Sequence, residues 1–203
     1  MSITQPIKNV LIITAHPTEN SLAHSLTQKI AEQYSRQGIN VDINDLHRSS
    51  FQAAITNSDL AVYHGTEPLP DDIKAEQARV DRADMLVFVF PVYWWSVPAI
   101  LKGWFDRVLT LGWAYKTTED GRIVGVLKNM PVRLVATAGS DKEGFDRHGY
   151  TTAINTQIVE GVFGFCGLND VTLDYLYGAD TADGAKINDY LNNARQSLKF
   201  NND

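Results

Sequence analysis

The sequence predicts an α/β protein. It reads as a three-layer sandwich in which a parallel sheet of about five strands carries helices on both faces. Three observations lead there. Strand-like and helix-like segments alternate along the whole chain. The strand-like segments are mostly continuous apolar runs, as expected of strands covered on both faces. Hydrophobic residues make up 44% of the 203 positions, enough for one core of ordinary size, so residues 1–203 read as one domain.

Each element has its own signal. Residues 9–15, NVLIITA, form a β-branched run too short for a helix. Residues 21–38 set Leu22, Leu26, Ile30, Ala31 and Tyr34 on one helical stripe, with Ser21 as cap and Gly38 as stop. Residues 39–45 alternate like a half-buried strand. The next helix, 71–84, follows a proline and has Asp71 and Asp72 in its first turn, where acids suit the helix dipole. Residues 84–90 are strand-like, and 98–111 form a helix that opens on Pro98, a favoured first-turn residue. Strand 131–138, helix 151–167, weakly alternating strand 170–176 and helix 181–200 complete the series. Residues 46–70 and 112–130 are long connections, which in compact domains are often functional.

The helix 98–111 is apolar on more than one side. Leu101, Trp104, Phe105 and Val108 make one stripe, while Ile100, Leu109 and Leu111 fall outside it. Such a helix must bury more than one side, and a second subunit is the expected cover. Lys102 and Asp106 read as a solvated ion pair.

Composition excludes several functions. A net charge of −6 argues against a general nucleic-acid or anionic-membrane binder. No apolar run approaches the roughly 18 residues that cross a membrane. The segment MSITQPIKNV has no signal-peptide core, so the expected location is the cytoplasm. The single cysteine, Cys166, rules out a disulfide or two-thiol chemistry within one chain, and its apolar neighbours VFGFCGL mark it as a packing residue. His16, His24, His47, His64 and His148 have no metal-ligand spacing, so no metal is expected. G-x-G-x-x-G, Walker and G-x-S-x-G motifs are absent.

With the expected strand order 2-1-3-4-5, a common one for doubly wound sheets, ligands bind beyond the carboxyl ends of strands 1 and 3, where the order reverses. AHPTENSLAHSL leaves strand 1 and opens a helix, so its amides, with Thr18, Asn20 and Ser21, suit a phosphate. Simple capping by Asn20 or Ser21, with His16 a structural hydrogen-bonding residue, reads the same residues more plainly. FPVYWWSVP follows strand 3. Its prolines stiffen a loop whose flat side chains suit a flat, mostly apolar ligand such as an isoalloxazine. A core role for Trp94 and Trp95 is the alternative. TAGSDKEGFDRHGY follows strand 4, where Gly139 permits close backbone approach and Ser140 caps or binds.

Beyond these separate readings, FPVYWWSVPAILKGWFDRV closely resembles the motif of the NAD(P)H:quinone oxidoreductases of the flavodoxin-like superfamily. VLIITAHPTENSLAHSL, PDDIKAEQARVDRADMLVFVFP and ATAGSDKEGF match in the same order, and the resemblance spans residues 8–198. It implies a flavodoxin-like fold, a tightly bound flavin (FAD ahead of FMN) and a homodimer. It also implies ping-pong hydride transfer from NADH or NADPH to a quinone. By the same resemblance, His16, Asn20, Ser21 and Leu22 surround the phosphates. Pro91, Val92, Tyr93, Trp94 and Trp95 line the flavin ring, with Thr137, Ala138, Gly139, Ser140 and Phe145 at its other edge. Trp94, Trp95, Tyr115, Thr117 and Gly139 wall the substrate cavity.

Three departures concern proton handling. Thr117 and Phe145 stand where the family has tyrosines, and Thr151 stands where it has a histidine. His148, three residues before Thr151, is the candidate to take over part of that role beside Tyr115. Ala23 replaces a polar family position near the adenosine half. Some relatives are ancillary subunits of potassium-efflux transporters, and others reduce azo or nitro compounds. The intact aromatic loop with Tyr115 favours the quinone reductase.

Overall fold

The computed structural model describes residues 6–199. Residues 1–5, part of the segment in which no signal core was read, and residue 200, the expected end of the last helix, lie outside them. The elements run β1 Asn9–Thr14, α1 Leu22–Arg36, β2 Asn40–Asp45, α2 Asn57–Tyr63, α3 Asp71–Arg82, β3 Met85–Pro91, α4 Ala99–Val108, β4 Tyr115–Thr117 and β5 Ile123–Gly125. They continue with β6 Val132–Ala138, α5 Lys142–His148, α6 Tyr150–Ile154, a π-helix Asn155–Gly164, β7 Val171–Tyr177, a 3-10 turn Ala179–Thr181 and α7 Gly184–Asn193.

The main sheet has the order β2-β1-β3-β6-β7, with every neighbouring pair parallel. This is the expected 2-1-3-4-5 arrangement. Alternate residues of the strands feed two cores. Val10, Ile12, Val87 and Val135 meet Leu26, Ile30 and Tyr34 of α1 and Leu191 of α7. Leu11, Ile13, Phe88 and Leu134 meet Trp104, Phe105 and Phe163 on the other face. Burial on both faces explains why β3 and β6 read as unbroken apolar runs.

The long connections contain regular structure that the sequence reading left as loops. Thr56 and Asp59 form a reciprocal capping box at the start of α2. Residues 112–130 hold the β4–β5 hairpin, with Tyr115 opposite Gly125. The segment after β6 folds as α5, capped by Asp141, so His148 ends a helix rather than lying in a loop. The expected 151–167 helix starts at Tyr150 and widens into π geometry from Asn155, where Asn155 Nδ2 donates to Glu160 Oε1 five residues on. The last helix starts at Gly184 rather than at 181 because Asp183 caps it, accepting from the Lys186 amide at 2.9 Å, and it ends at Asn193. Pro98 sits one position earlier than expected, at the N-cap, because its ψ is extended.

The breadth of α4 finds its cover inside the chain. A Cβ on Gly103 would meet the Ala53 carbonyl oxygen at 2.2 Å, so residues 51–53 lie directly on the helix. Arg107, only 4% exposed, binds Asp59 at 2.9 Å, Asp72 at 3.0 Å and the Gln52 carbonyl at 2.8 Å. Its guanidinium also lies over the Phe51 ring. The width of α4 is therefore no argument for a second subunit. Leu111 alone of the three residues outside the stripe is exposed.

Three smaller expectations, on the acids of α3, the Lys102–Asp106 pair and Cys166, hold. Asp71 and Asp72 lie in the first turn of α3, and Lys102 pairs with Asp106 at 2.6 Å in solvent. Cys166 is buried, and burial pushes its thiol up to about 11, which keeps it protonated and unreactive. No helix among the described residues is long and apolar enough to cross a membrane, and they hold no cluster suited to a metal ion.

Candidate functional site

Three loops leave the carboxyl ends of β1, β3 and β6. The first is a hydrogen-bonded cradle. The Thr18 amide donates to His16 Nδ1 at 3.0 Å, and the Ser21 amide donates to the Thr18 carbonyl at 3.2 Å. A backbone hydrogen has a fixed direction, so Nδ1 is the acceptor and His16 keeps its proton on Nε2. Burial lowers the pKa of His16, and His24 and His47 push the same way, although the Thr18 backbone raises it. Ser21 caps α1 by accepting from the His24 amide at 3.2 Å. Helix geometry leaves the Leu22 and Ala23 amides, at the first positions of α1, with no carbonyl behind them. Asn20 is exposed beside them. His16, Asn20, Ser21 and Leu22 thus share one loop, as expected, and its donors fit a phosphate.

The second loop departs from its sequence reading in an informative way. Tyr93 and Ser96 exchange both backbone hydrogen bonds, at 3.0 and 3.1 Å. Between them Trp94 and Trp95 have φ values of 48° and 59°. This is a two-residue hairpin turn with both central residues left-handed, a site that normally takes Asn-Gly. Left-handed backbone costs a side-chain-bearing residue about 1–2 kcal/mol. The turn, rather than the prolines, fixes the loop. Its base is held by the Val92 amide on the Thr137 carbonyl at 2.8 Å. Trp94 is 94% exposed. Trp95 stacks on Tyr150 with ring centroids 3.8 Å apart and planes 10° from parallel.

The third loop supplies the facing wall. Thr137 and Ala138 are buried, while Gly139 and Ser140 are exposed. A Cβ on Gly139 would stand 2.7 Å from Asp180 Oδ2, so the loop after β7 closes on this glycine. Val92, Trp94, Trp95, Ala138, Gly139, Ser140 and Phe145 line one cavity of about 220 Å³. Aromatic surface on one side and slim backbone on the other fit a flat ring with a polar rim. The same residues thus pass the test for a flavin ring, and the neighbouring cradle passes it for a phosphate tail. A larger open cleft of about 660 Å³ runs beside β2 and is bordered by Asn20 and His24, but no Trp, Tyr or Phe lines it to face such a ring.

Other expected residues fall elsewhere. Tyr115 packs edge-to-face on Phe165 and lines a separate cavity of about 80 Å³ with Tyr63, Arg107 and Leu111. Burial raises its phenol pKa, with Tyr63 and Cys166 adding to the effect. Thr117 is exposed on the same hairpin. Within one chain neither residue joins the Trp94 cavity, because the hairpin is tied to the end of the π-helix through the Leu127 amide and the Cys166 carbonyl. His148 and Thr151 do not line the cavity either. His148 stacks outside Tyr150 at 5.3 Å, and the Thr151 hydroxyl is buried with no partner among the described residues. Tyr150, which backs Trp95, and His24, which bonds Ser21, escaped the sequence reading.

Residues 8–198 match the family model described as the flavodoxin-like fold. The chain is 34% identical over 171 residues to an uncharacterized NAD(P)H oxidoreductase of Haemophilus influenzae, covering 84% of this chain and 83% of the relative. It is 32% identical over 213 residues to a ribosyldihydronicotinamide dehydrogenase [quinone] of Mus musculus, covering 95% and 91%. Among solved structures it superposes on an NAD(P)H:quinone oxidoreductase from Methanothermobacter marburgensis with a TM-score of 0.84 and 28% identity. That superposition covers 96% of each chain.

Proposed function

Because the chain belongs to the flavodoxin-like fold family, with NAD(P)H oxidoreductases and quinone dehydrogenases as its relatives, we propose that it is a flavin-dependent NAD(P)H:quinone oxidoreductase, with FAD as the flavin. The observation that carries the reading is the Trp94–Trp95 turn facing Gly139 and Ser140 beside the His16–Leu22 cradle, where the sheet order reverses. A bound flavin supplies the two-electron exchange, and the chain supplies position and environment. His16, Asn20, Ser21 and Leu22 hold the phosphates. Val92, Trp94 and Trp95 form one wall, with Pro91 and Tyr93 at its base, and Ala138, Gly139, Ser140 and Phe145 the other, with buried Thr137 behind it. The slot is too narrow for nicotinamide and quinone together, so the two substrates alternate.

We further propose a two-fold homodimer. Leu60, Tyr63, Leu111, Ile123, Val124, Val126 and Phe165 are exposed apolar residues around Tyr115, more than isolated surface residues call for. By the family resemblance, such pairing would bring Tyr115 and Thr117 of one copy to the Trp94 cavity of the other.

The tests are direct. Purified protein should be yellow, release FAD on denaturation and give parallel initial-rate lines when NAD(P)H and a small quinone are both varied. No flavin bound under any condition would overturn the cofactor assignment, and intersecting lines the alternation. Sedimentation at micromolar concentration should show a dimer; a stable monomer would remove Tyr115 from the site.

A further inference from the structure

The residues behind the phosphate cradle form a closed chain of hydrogen bonds that the proposed activity does not use. Ser21 Oγ lies 2.8 Å from His24 Nδ1, and His24 Nε2 lies 2.7 Å from Asp45 Oδ2. Arg48 joins Asp45 at 3.1 Å and reaches back to Glu19 of the cradle at 3.0 Å. Asp45 also accepts the amides of His47 and Arg48 at 3.1 and 3.2 Å. Burial works against its charge, but the bond from His24 and these amides hold its carboxyl below the usual carboxylate range.

Donor and acceptor counting then fixes what Ser21 offers. Ionised Asp45 only accepts, so His24 Nε2 carries hydrogen. When His24 is neutral, Nδ1 is bare and can only accept, so the one hydroxyl hydrogen of Ser21 is spent on it. When His24 is protonated, Nδ1 donates to Ser21 instead. One lone pair of Ser21 then takes the His24 amide, the other takes Nδ1–H, and the hydroxyl hydrogen is free to point out of the cradle. A phosphate, which only accepts, can use Ser21 in the second state and not in the first.

We propose that His24 is a positioning residue that makes binding of the cofactor phosphates proton-linked: the cradle takes up a proton at His24 when it binds the phosphate, through Ser21. The inference rests on the flavin reading. The groups facing His24 are Ser21, His16 and Glu19 from the cradle, Asp45, His47 and Arg48 from the end of β2, and Arg79 across the same cleft. Only histidines among them change charge between about pH 5.5 and 8. Burial lowers the pKa of His16.

The test uses the apoprotein with FAD, whose pyrophosphate diester does not titrate in this window, and riboflavin, which lacks phosphate. Fluorescence titration should show FAD binding about tenfold tighter at pH 5.5 than at pH 8, the worth of one charge-assisted hydrogen bond. Riboflavin affinity should not change. Calorimetry in two buffers of different ionisation enthalpy should show proton uptake near pH 7.5 with FAD and none with riboflavin. His24→Asn puts an amide donor at the Nδ1 position at every pH, so it should bind FAD tightly with no pH dependence. Normal FAD binding with no proton uptake in the wild type would overturn this inference alone. Failure of FAD, FMN and riboflavin alike to bind at any pH would overturn the flavin reading and this inference together.

Discussion

The cradle after β1 and the turn after β3 meet at one end of the sheet, yet they are held in shape by opposite means. The cradle satisfies itself: Thr18 on His16, Ser21 on Thr18, His24 on Ser21, each with backbone in ordinary conformation. The turn opposes local preference, since two bulky residues occupy left-handed backbone and one of them projects into solvent. A polar ligand tail can be matched by groups that also stabilise the fold. A flat apolar wall cannot, because its surface must stay uncovered to receive the ring. Strain held by surrounding structure is characteristic of such sites.

Four substitutions sharpen or break this contrast. The largest effect is expected for Trp95→Ala, which loses the stack on Tyr150 while keeping the strained φ. Unfolding by denaturant should show a loss of about 2 kcal/mol. A loss no greater than for an ordinary surface site would mean that the stack does not hold the turn. Ser21→Ala should cost about 1 kcal/mol as a lost helix cap and weaken flavin binding as well. Unchanged stability would show the cradle to be less self-supporting than its bonds suggest. Trp94→Gly should raise stability by about 0.5–1 kcal/mol, since it relieves left-handed backbone without uncovering buried surface, while slowing quinone reduction. If it destabilises the protein, the turn is not strained.

The smallest effect concerns acid. Asp45 has a folded pKa below its unfolded value, so its contribution is complete above about pH 4 and fades as pH falls through the folded value. Asp45→Asn should therefore flatten the stability profile between about pH 2 and 4.

Much of this was legible in the sequence. The inner strands β1, β3 and β6 were readable because burial on both faces demands unbroken apolar runs, and the edge strands β2 and β7 because partial burial leaves an alternating pattern. The three loops were readable because they follow strand ends at the reversal of sheet order. The turn was not, because Trp-Trp contradicts the residue preferences by which such turns are recognised. The capping box at Thr56 and Asp59 and the Asp141 cap were present as local signals, but α2 and α5 are only seven residues each, too short to show periodicity. His24 carries no local signal, since its partner Asp45 comes from the next strand, 21 residues on. Tyr115 was assigned to the Trp94 cavity by resemblance, and one chain does not bring them together.

The clamp on Arg107 bears on how such a chain can diversify. Residues 46–70 are fastened to α4 at two places, Ala53 on Gly103 and Asp59 on Arg107. Insertions beyond Asp59 would leave both fastenings, the sheet and the three strand-end loops as they are. Changes in the segment bearing Leu60 and Tyr63 would therefore act through the proposed pairing surface, and so on the other copy's cavity, while the chain's own sheet and strand-end loops keep their shape.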